Sequence, residues 1–458
     1  MGRKVVLAGL IAVLFLVLGF SAFLGAQERL SLEEALEIAL RESPTVKKAE
    51  AEVEIARSTL RLAANDTLSP EIGVSQSIAL TKEFASGFSF TMKDSYSWGD
   101  SAEEKKARLS VESAERALRE AREAVKQSVV SVYLNILKGE QSMRLAEKNL
   151  ELLRKKYEKV KAQFEEGNAA AFAVREAEKN LRDGELSLSN LRENLLVLKK
   201  KLNGILGRSP ETEFAVEPLP EVNFPAVSLE ELKALSIENR AEMADLKGQK
   251  EAVEVDRESL REEKKPSVKL VGEYEAEEWS LSLSVDPFKK NLDWEVARSL
   301  AGTGSSLLTS SSGGESFGVG IVINWTLSSG GVWKEKEKQY ELKLAQIEES
   351  YRAQADSIVT EVEEKYYQFE KTRSDLDIRR TTIEVEREKY VLRKKQYEMG
   401  AIDEETLLGN EIAMMQAEGD YEGNVYDLIL TWVDLQRSAG KEIEIGELLA
   451  VEPKEVVE

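Results

Sequence analysis

One stretch of this chain has a related counterpart: Tyr157-Glu-Lys-Val-Lys-Ala-Gln-Phe-Glu-Glu-Gly167 and, 233 residues later, Tyr390-Val-Leu-Arg-Lys-Lys-Gln-Tyr-Glu-Met-Gly400. The same separation relates Gly207 to Gly440, so the register holds without a gap between these points. Each version lies in a long run without proline and ends at a glycine, as two helices joined by a turn do. Two copies of a long helical unit point toward architecture rather than catalysis.

A shorter echo precedes this repeat. Leu30-Ser-Leu-Glu-Glu34 returns as Val227-Ser-Leu-Glu-Glu231, a separation of 197 residues. Because the two separations, 233 and 197, differ by 36, the second copy carries an insertion of that length. We place it at roughly 286–315 and predict an extended surface loop there, because its serine- and glycine-rich end is typical of a mobile loop.

The N-terminal 26 residues predict export from the cytoplasm. Basic residues are followed by an apolar run from Val5 to Phe20 and then by small residues before Gln27. This order is typical of a secretory signal peptide over 1–26, and an uncleaved membrane anchor is the alternative. We find no other segment long and apolar enough to span a bilayer as a helix, so further membrane contact must use strands.

The composition argues against catalysis and against nucleic-acid binding. The 458 residues include no Cys and no His, which removes thiolate metal ligands and the commonest general base. We therefore expect no enzyme activity, no metal and no cofactor, although an enzyme built on paired carboxylates remains a third hypothesis. The 84 acidic residues outnumber the 63 basic ones, and the resulting net charge of −21 would repel nucleic acid.

Hydrophobic periodicity predicts long helices in both copies. Ser31 and Glu34 form a capping box that opens a short helix ending near Glu42. Further helices are predicted at about 45–66, 101–166, 170–206, 242–264, 334–399 and 405–439. In each copy a helix of about 22 residues and a return helix of about 35 roughly match the long one, so we expect continuous helices beside end-to-end pairs. Two ordinary antiparallel coiled coils are the alternative.

Other segments change to a period of two and predict strands. They are a pair at about 70–98 and two segments at about 266–286 and 316–328, with a change of phase near Glu277-Glu278. One face is apolar and aromatic and the other is small and polar, as in a soluble sheet or a lipid-embedded barrel. Four strands cannot close a barrel, which needs about eight, so the chain must oligomerise, and this argument permits a dimer.

The predicted elements divide the chain into two structural repeats and two terminal segments. The first repeat, 27–227, holds the short helix, the strand pair, a long helical hairpin over about 101–207 and a linker. The second repeat, 228–440, holds the remaining strands and a hairpin over about 334–439. The signal peptide precedes them and a C-terminal tail, 441–458, follows. A proline-rich linker such as 209–225 is not expected to form a long helix.

In this order the motifs resemble the TolC-type outer-membrane efflux protein family. The resemblance rests on Leu30-Ser-Leu-Glu-Glu-Ala-Leu-Glu-Ile-Ala-Leu-Arg-Glu-Ser-Pro44, on its second version from Leu229 to Pro266, on Gln396-Tyr-Glu-Met-Gly400 and on Ser329-Gly-Gly331. It implies a mainly α fold with a small β part, in which long antiparallel helical hairpins form an α-barrel. Four β-strands per chain would contribute to a shared trimeric transmembrane β-barrel of 12 strands.

The resemblance also implies a function, a location and partners. The chain would be the outer-membrane exit duct of a tripartite efflux or type I secretion system, with a long periplasmic part. Its partners would be two further copies in a homotrimer, a periplasmic adaptor protein, an inner-membrane transporter and outer-membrane lipid. The alternative is a trimeric coiled-coil tether, but a tether has no need for amphipathic strands.

The turns that join the long helices would form the periplasmic tip and meet the adaptor. The residues concerned are Phe164, Gly167, Asn168, Ala169, Tyr397, Gly400, Ala401 and Ile402. Family members usually carry Asp six residues past the glycine, where this chain has Ala173 and Thr406. An acidic pore ring would then use Glu176, Asp403, Glu404 and Glu405, whose alternative role is to interact with helix dipoles in solvent.

Overall fold

The chain, seen in a computed structural model, is described over 28–64, 71–80, 84–97, 102–220, 222–263, 265, 267–276, 279–287, 291–299, 316–324 and 330–449. Three sequence predictions lie outside these ranges: the signal peptide, the serine- and glycine-rich end of the insertion, and the last part of the C-terminal tail. The described residues form two compact units. Unit 1 holds the residues up to Lys48, Arg119–Arg240 and those from Ser357 onward, and unit 2 holds Ala49–Leu118 and Ala241–Asp356.

Long helices dominate the described chain, as predicted. They are α1 Leu32–Glu42, α2 Pro44–Ala63, α3 Ala102–Glu165, α4 Ala171–Ile205, α5 Leu229–Asn239, α6 Ala241–Glu263, α7 Gly330–Glu398, α8 Glu404–Ser438 and α9 Gly446–Leu449. The helical bounds differ from the sequence prediction by a few residues at most. None of the helices in the described ranges is both long and apolar enough to cross a lipid bilayer.

Local chemistry fixes where the short helices begin and end. The Ser31 hydroxyl accepts from the Glu34 amide at 3.2 Å, and the Glu34 carboxylate accepts from the Ser31 amide at 3.1 Å, which completes the predicted capping box. Helix α1 ends at Glu42, and its C-cap residue Ser43 takes ψ 130° because the following Pro44 disfavours a helical residue before it. Arg240, between α5 and α6, has the same conformation at ψ 133°.

The buried core of unit 1 gathers apolar residues from several helices and from a short parallel strand pair. The pair consists of β1 Glu28–Leu30 and β4 Phe214–Val216. Phe369 packs against Trp432 with ring centroids 5.3 Å apart, and Phe224 meets both rings edge-on. The largest fully buried side chains of this unit include Tyr133, Phe214, Phe369, Leu134, Ile136, Leu202 and Leu428.

Unit 2 contains an antiparallel sheet with the strand order β2-β3-β7-β6-β5-β8. Its strands are β2 Glu71–Leu80, β3 Phe84–Ser97, β5 Ser267–Ala276, β6 Trp279–Asp286, β7 Asn291–Ser299 and β8 Ser316–Asn324. The fold class, mainly α with a small β part, is confirmed. The sheet nevertheless has six described strands where four were predicted.

Two features of the sequence account for the additional strands. The change of phase at 277–278 separates β5 from β6, so the segment predicted at 266–286 is two strands rather than one. Strand β7 lies inside the insertion that was predicted to be a loop. Its apolar residues Leu292, Trp294 and Val296 alternate with polar ones, and this period of two could have revealed the strand.

Candidate functional site at the helical turns and the sheet

The two turns that join the long helices have the same backbone conformation. Gly167 follows α3 with φ 81°, and Gly400 follows α7 with φ 71°. Glycine suits both places because a positive φ is sterically costly for any residue with a Cβ atom. The predicted role of these glycines as turn residues is therefore confirmed.

Hydrogen bonds complete the same motif in each turn. In the first, the amide of Asn168 donates to the carbonyl of Gln163 at 2.7 Å and that of Gly167 donates to Phe164 at 2.9 Å. In the second, Ala401 donates to Gln396 and Gly400 donates to Tyr397, both at 2.8 Å. This is the Schellman motif, which satisfies the carbonyls left free at a helix C-terminus.

Aromatic and apolar side chains remain exposed at both turns. Phe164 and Tyr397, which occupy equivalent places, are 44% and 40% exposed. Phe172 and Met399 are still more exposed. Asn168 and Ala401 are exposed as well, whereas Ala169 and Ile402 are half-buried. Exposed apolar groups concentrated at one place are a common mark of a protein interaction site.

Lysines near the C-terminal end of α3 form ion pairs with carboxylates at the start of α8. The Lys155 ammonium lies 2.9 Å from the Glu404 carboxylate. The Lys159 ammonium lies 3.3 Å from Asp403 and 3.0 Å from Glu405. Three of the four residues predicted for an acidic ring therefore form ion pairs within the chain.

The fourth predicted ring residue, Glu176, is placed differently. It lies on an exposed part of α4, and it forms no ion pair with any other residue in the described ranges. The two lysines that hold the other three carboxylates were missed in the sequence. Their spacing of four residues puts them on one face of α3, but a partner on another helix is a tertiary contact that spacing alone does not identify.

Asp403 also caps α8. Its carboxylate accepts from the Thr406 hydroxyl at 2.6 Å and from the Thr406 amide at 3.0 Å. These two hydrogen bonds, followed by the one from Lys159, lower the pKa of Asp403 to about 2. Lys155 donates a hydrogen bond to Glu404 and Lys159 donates one to Glu405, and these bonds raise the pKa values of the two lysines. The lowered pKa of Asp403 and the raised pKa values of the two lysines keep these three groups charged at neutral pH, so their ion pairs hold α3 against α8.

The sheet of unit 2 has two chemically distinct faces. Cross-strand pairs such as Met92 with Val296, and Leu270 with Ile321, place apolar residues side by side. The neighbouring pairs, such as Ser95 with Asp293, are polar. Several large apolar residues of the first face are exposed in the chain: Ile72, Leu281, Leu283, Phe317, Val319, Ile321 and Ile323. An exposed apolar face of this extent requires a cover of lipid or protein.

Among the described residues, no group of three or more acidic side chains is placed to hold a metal ion. The sheet therefore offers apolar and polar surfaces, and the turns offer exposed aromatic residues and ion pairs. Such features are typical of a surface that binds a protein or lines a channel.

Comparison with known proteins adds a family and a fold. Residues 35–208 and 233–441 match the model of the outer membrane efflux protein family. The chain is similar in structure to the outer-membrane channel OprN, with a TM-score of 0.63, 18% identity, and 89% of each chain covered.

Two further solved structures have the same fold. For the CmeC outer membrane channel of Campylobacter jejuni the TM-score is 0.64 at 17% identity, with 92% of this chain and 87% of that chain covered. For the outer membrane protein VceC of Vibrio cholerae it is 0.61 at 16% identity, with 90% and 97% covered. No curated protein sequence matches the chain significantly.

Proposed function

Because the chain belongs to the outer membrane efflux protein family and is an efflux duct of the outer membrane, we propose that three copies assemble into one passive channel. The family is one of ducts and not a class of enzymes. Substrate would pass through the assembly without chemistry by this chain. The solved channels of the same fold support a shared architecture of an α-barrel and a β-barrel.

The single observation that carries this proposal is the two-faced sheet with open edges. Strands β2 and β8 each pair with only one neighbour in the described sheet. Unpaired backbone groups at an edge are not tolerated in lipid, so the edges must pair with other copies. The apolar face would then contact acyl chains, and the polar face would line a water-filled channel.

We propose that the helical turns contact a periplasmic adaptor protein. An inner-membrane transporter would supply the substrate to the duct. The exposed rings of Phe164 and Tyr397 support this role because aromatic side chains are enriched where proteins bind one another. The other residues proposed for this contact are Gly167, Asn168, Ala169, Gly400, Ala401 and Ile402. An adaptor would meet the two chemically similar turns of each copy.

The acidic ring stays a prediction. Asp403, Glu404 and Glu405 are engaged with lysines of α3, which favours a fastening role for these carboxylates. Glu176 is the member with its charge unpaired among the described residues, so we propose it as the one that would face solvent at the entrance. A ring would need the corresponding residues of all three copies.

Reconstitution in planar lipid bilayers tests the proposed channel. The purified full chain is expected to give discrete conductance steps, and its mass in detergent is expected to correspond to three copies. Correct insertion of a three-copy assembly without conductance would favour the tether instead. A matched control is the same preparation heated until the assembly dissociates, which should abolish the steps.

A further inference from the structure

The hairpin β6–β7 lies within the sheet and not at its margin. Strand β7 pairs with β3 from Ser89 opposite Ser299 to Ser97 opposite Asn291. Strand β6 pairs with β5 from Leu270 opposite Val285 to Ala276 opposite Trp279. The hairpin thus separates the β2–β3 pair from the β5–β8 pair. Both of its strands have their backbone groups engaged on two sides.

Both faces of the sheet continue across this hairpin without a change of phase. On the apolar face, Met92 of β3 lies opposite Val296, and Val296 lies opposite Leu281. Leu281 in turn lies opposite Tyr274 of β5. A slip of one residue would have turned the apolar set to the polar face. The register therefore makes the hairpin part of the same two-faced sheet.

One carboxylate on the polar face joins the hairpin to strands on both sides. Asp293 of β7 accepts from the Ser95 hydroxyl of β3 at 2.8 Å and from the Ser284 hydroxyl of β6 at 3.2 Å. It also accepts from the Lys269 ammonium of β5 at 3.3 Å and from the Asn291 side chain at 2.8 Å. Such a network would not form if the hairpin projected away from the sheet as a flexible insertion.

A second contact ties the end of β6 to the start of β5. Asp286 is only 2% exposed, and its carboxylate accepts from the hydroxyl of Ser267 at 2.5 Å. A buried carboxylate is costly unless hydrogen bonds satisfy it, so this contact fixes the position of β6 relative to β5. Side-chain hydrogen bonds of Asp293 and Asp286 therefore hold the hairpin to the strands on both of its sides.

The strand directions allow this six-stranded sheet to close with other copies. All of the pairings within the sheet are antiparallel, and an even number of strands leaves β2 and β8 running in opposite directions. Strand β8 of one copy can therefore pair with β2 of the next in the same antiparallel pattern. No strand has to be left out for the ring to close.

We propose that three copies close a barrel of 18 strands, and that this wide exit passes bulky water-soluble cargo. The inference rests on the proposed three-copy assembly. Barrel diameter grows roughly linearly with strand number, so 18 strands give a diameter about 1.5 times that of 12. Barrels of 16–18 strands leave an aqueous channel, and here the polar face supplies its lining.

The first test is a direct count of strands by electron cryomicroscopy of the full chain in lipid nanodiscs. The expected result is a threefold ring with six strands from each copy. A conducting threefold assembly with a 12-stranded ring, and with β6–β7 outside it, would overturn this inference but leave the proposed function intact. An assembly that is not threefold, or that conducts nothing, would contradict the proposed function instead.

The second test measures the size limit of the channel with polyethylene glycols of graded radius in planar bilayers. The full chain is compared with a variant that lacks residues 279–299, which removes two strands and keeps the antiparallel alternation. Polymer is added to one side at a time, since a constriction in the helical part would block entry from one side only. On the side with the larger limit, the full chain should admit polymers about 1.5-fold larger in radius than the deletion variant, and equal limits would contradict the wider exit.

Discussion

The hydroxyl of Tyr133 lies 2.9 Å from the carbonyl oxygen of Leu30, to which it can donate a hydrogen bond. It also accepts from the amide of Glu217 at 3.0 Å, and the Glu217 carbonyl is a second acceptor within reach at 2.8 Å. The tyrosine is fully buried, and this burial raises the pKa of its hydroxyl. One side chain of α3 thus holds both β1 and the segment that follows β4.

Replacing Tyr133 by Phe is expected to destabilise unit 1. The substitution keeps the ring but removes the hydroxyl from buried backbone groups, and such a loss costs about 1–3 kcal/mol. Thermal unfolding of the purified assembly measures the effect. The control is Tyr366→Phe, because Tyr366 occupies the equivalent place in the second repeat but is only half-buried. If the two variants lowered the unfolding temperature equally, the hydrogen bond between Tyr133 and Leu30 would not be a particular source of stability.

Replacing Gly207 by Ala is expected to be more harmful than replacing Gly167. Both glycines have a positive φ, so both variants carry a backbone strain of about 1–2 kcal/mol. A Cβ atom at Gly207 would also lie 2.6 Å from the Glu42 carbonyl oxygen, whereas one at Gly167 meets nothing within 4 Å. Overpacking of this kind adds about 1–3 kcal/mol.

The measurement for this glycine pair is the difference in unfolding temperature between the two alanine variants. Gly440→Ala provides a further check, since a Cβ atom there would lie 3.0 Å from the Asn239 side chain, a closer approach than at Gly167 and a looser one than at Gly207. The expected order of harm is Gly207, then Gly440, then Gly167. If Gly167→Ala were the most harmful, the close approach of Gly207, which follows α4, to Glu42 at the end of α1 would not govern stability.

Much of this fold follows from local sequence signals. The capping box of Ser31 and Glu34 and the glycines at 167 and 400 were predictable because each rests on neighbouring residues. The contact of Gly207 with Glu42 was not, because it joins segments far apart in sequence. Strand β7 was missed for another reason, since its short alternating segment is followed by a serine- and glycine-rich sequence whose composition is typical of a loop.

The candidate site was predictable to a similar degree. The positions of the two turns followed from the repeated sequence, and both have the expected backbone geometry. The partners of Asp403, Glu404 and Glu405 did not follow, because the lysines that bind them come from the other repeat, about 240–250 residues away. Secondary structure was thus accessible where its determinants were local, and the charge pairing required the tertiary fold.

The acidic residues at the start of α8 lead to a prediction about pH. Asp403 has a pKa of about 2 in the folded chain and an ordinary value of 3.8, so its ionised form stabilises the folded state. That contribution is fully present above about 3.8 and is lost as the pH falls toward about 2. Asp403→Asn should therefore unfold at a lower temperature than the parent chain at pH 7, and the difference should shrink below pH 4.

A second variant separates the cap from the charge at this position. Asp403→Asn can still accept a hydrogen bond from the Thr406 amide, whereas Asp403→Ala cannot. Hydrogen–deuterium exchange at pH 7 should show faster exchange in the first turn of α8 for the Ala variant and little change for the Asn variant. Rapid exchange in both would mean that the ion pair with Lys159 matters more than the cap.

The two faces of the sheet can be compared with neighbouring residues of one strand. Ile321 and Val322 of β8 are 65% and 42% exposed, and they lie on opposite faces because successive side chains of a strand alternate. Ile321→Lys would place a charge against lipid at a cost of up to about 2–4 kcal/mol at mid-membrane. Val322→Lys would place the same charge toward the water-filled channel.

The expected result is that Ile321→Lys reduces the amount of assembled protein in the outer membrane, while Val322→Lys assembles normally. Val322→Lys should instead alter the ion selectivity of the channel in planar bilayers, because it adds a positive charge from each copy to the lining. Membrane fractionation and single-channel recording provide the two measurements. If the two variants exchanged these phenotypes, the apolar face would be the inner one, and lipid could not be the solvent of the sheet.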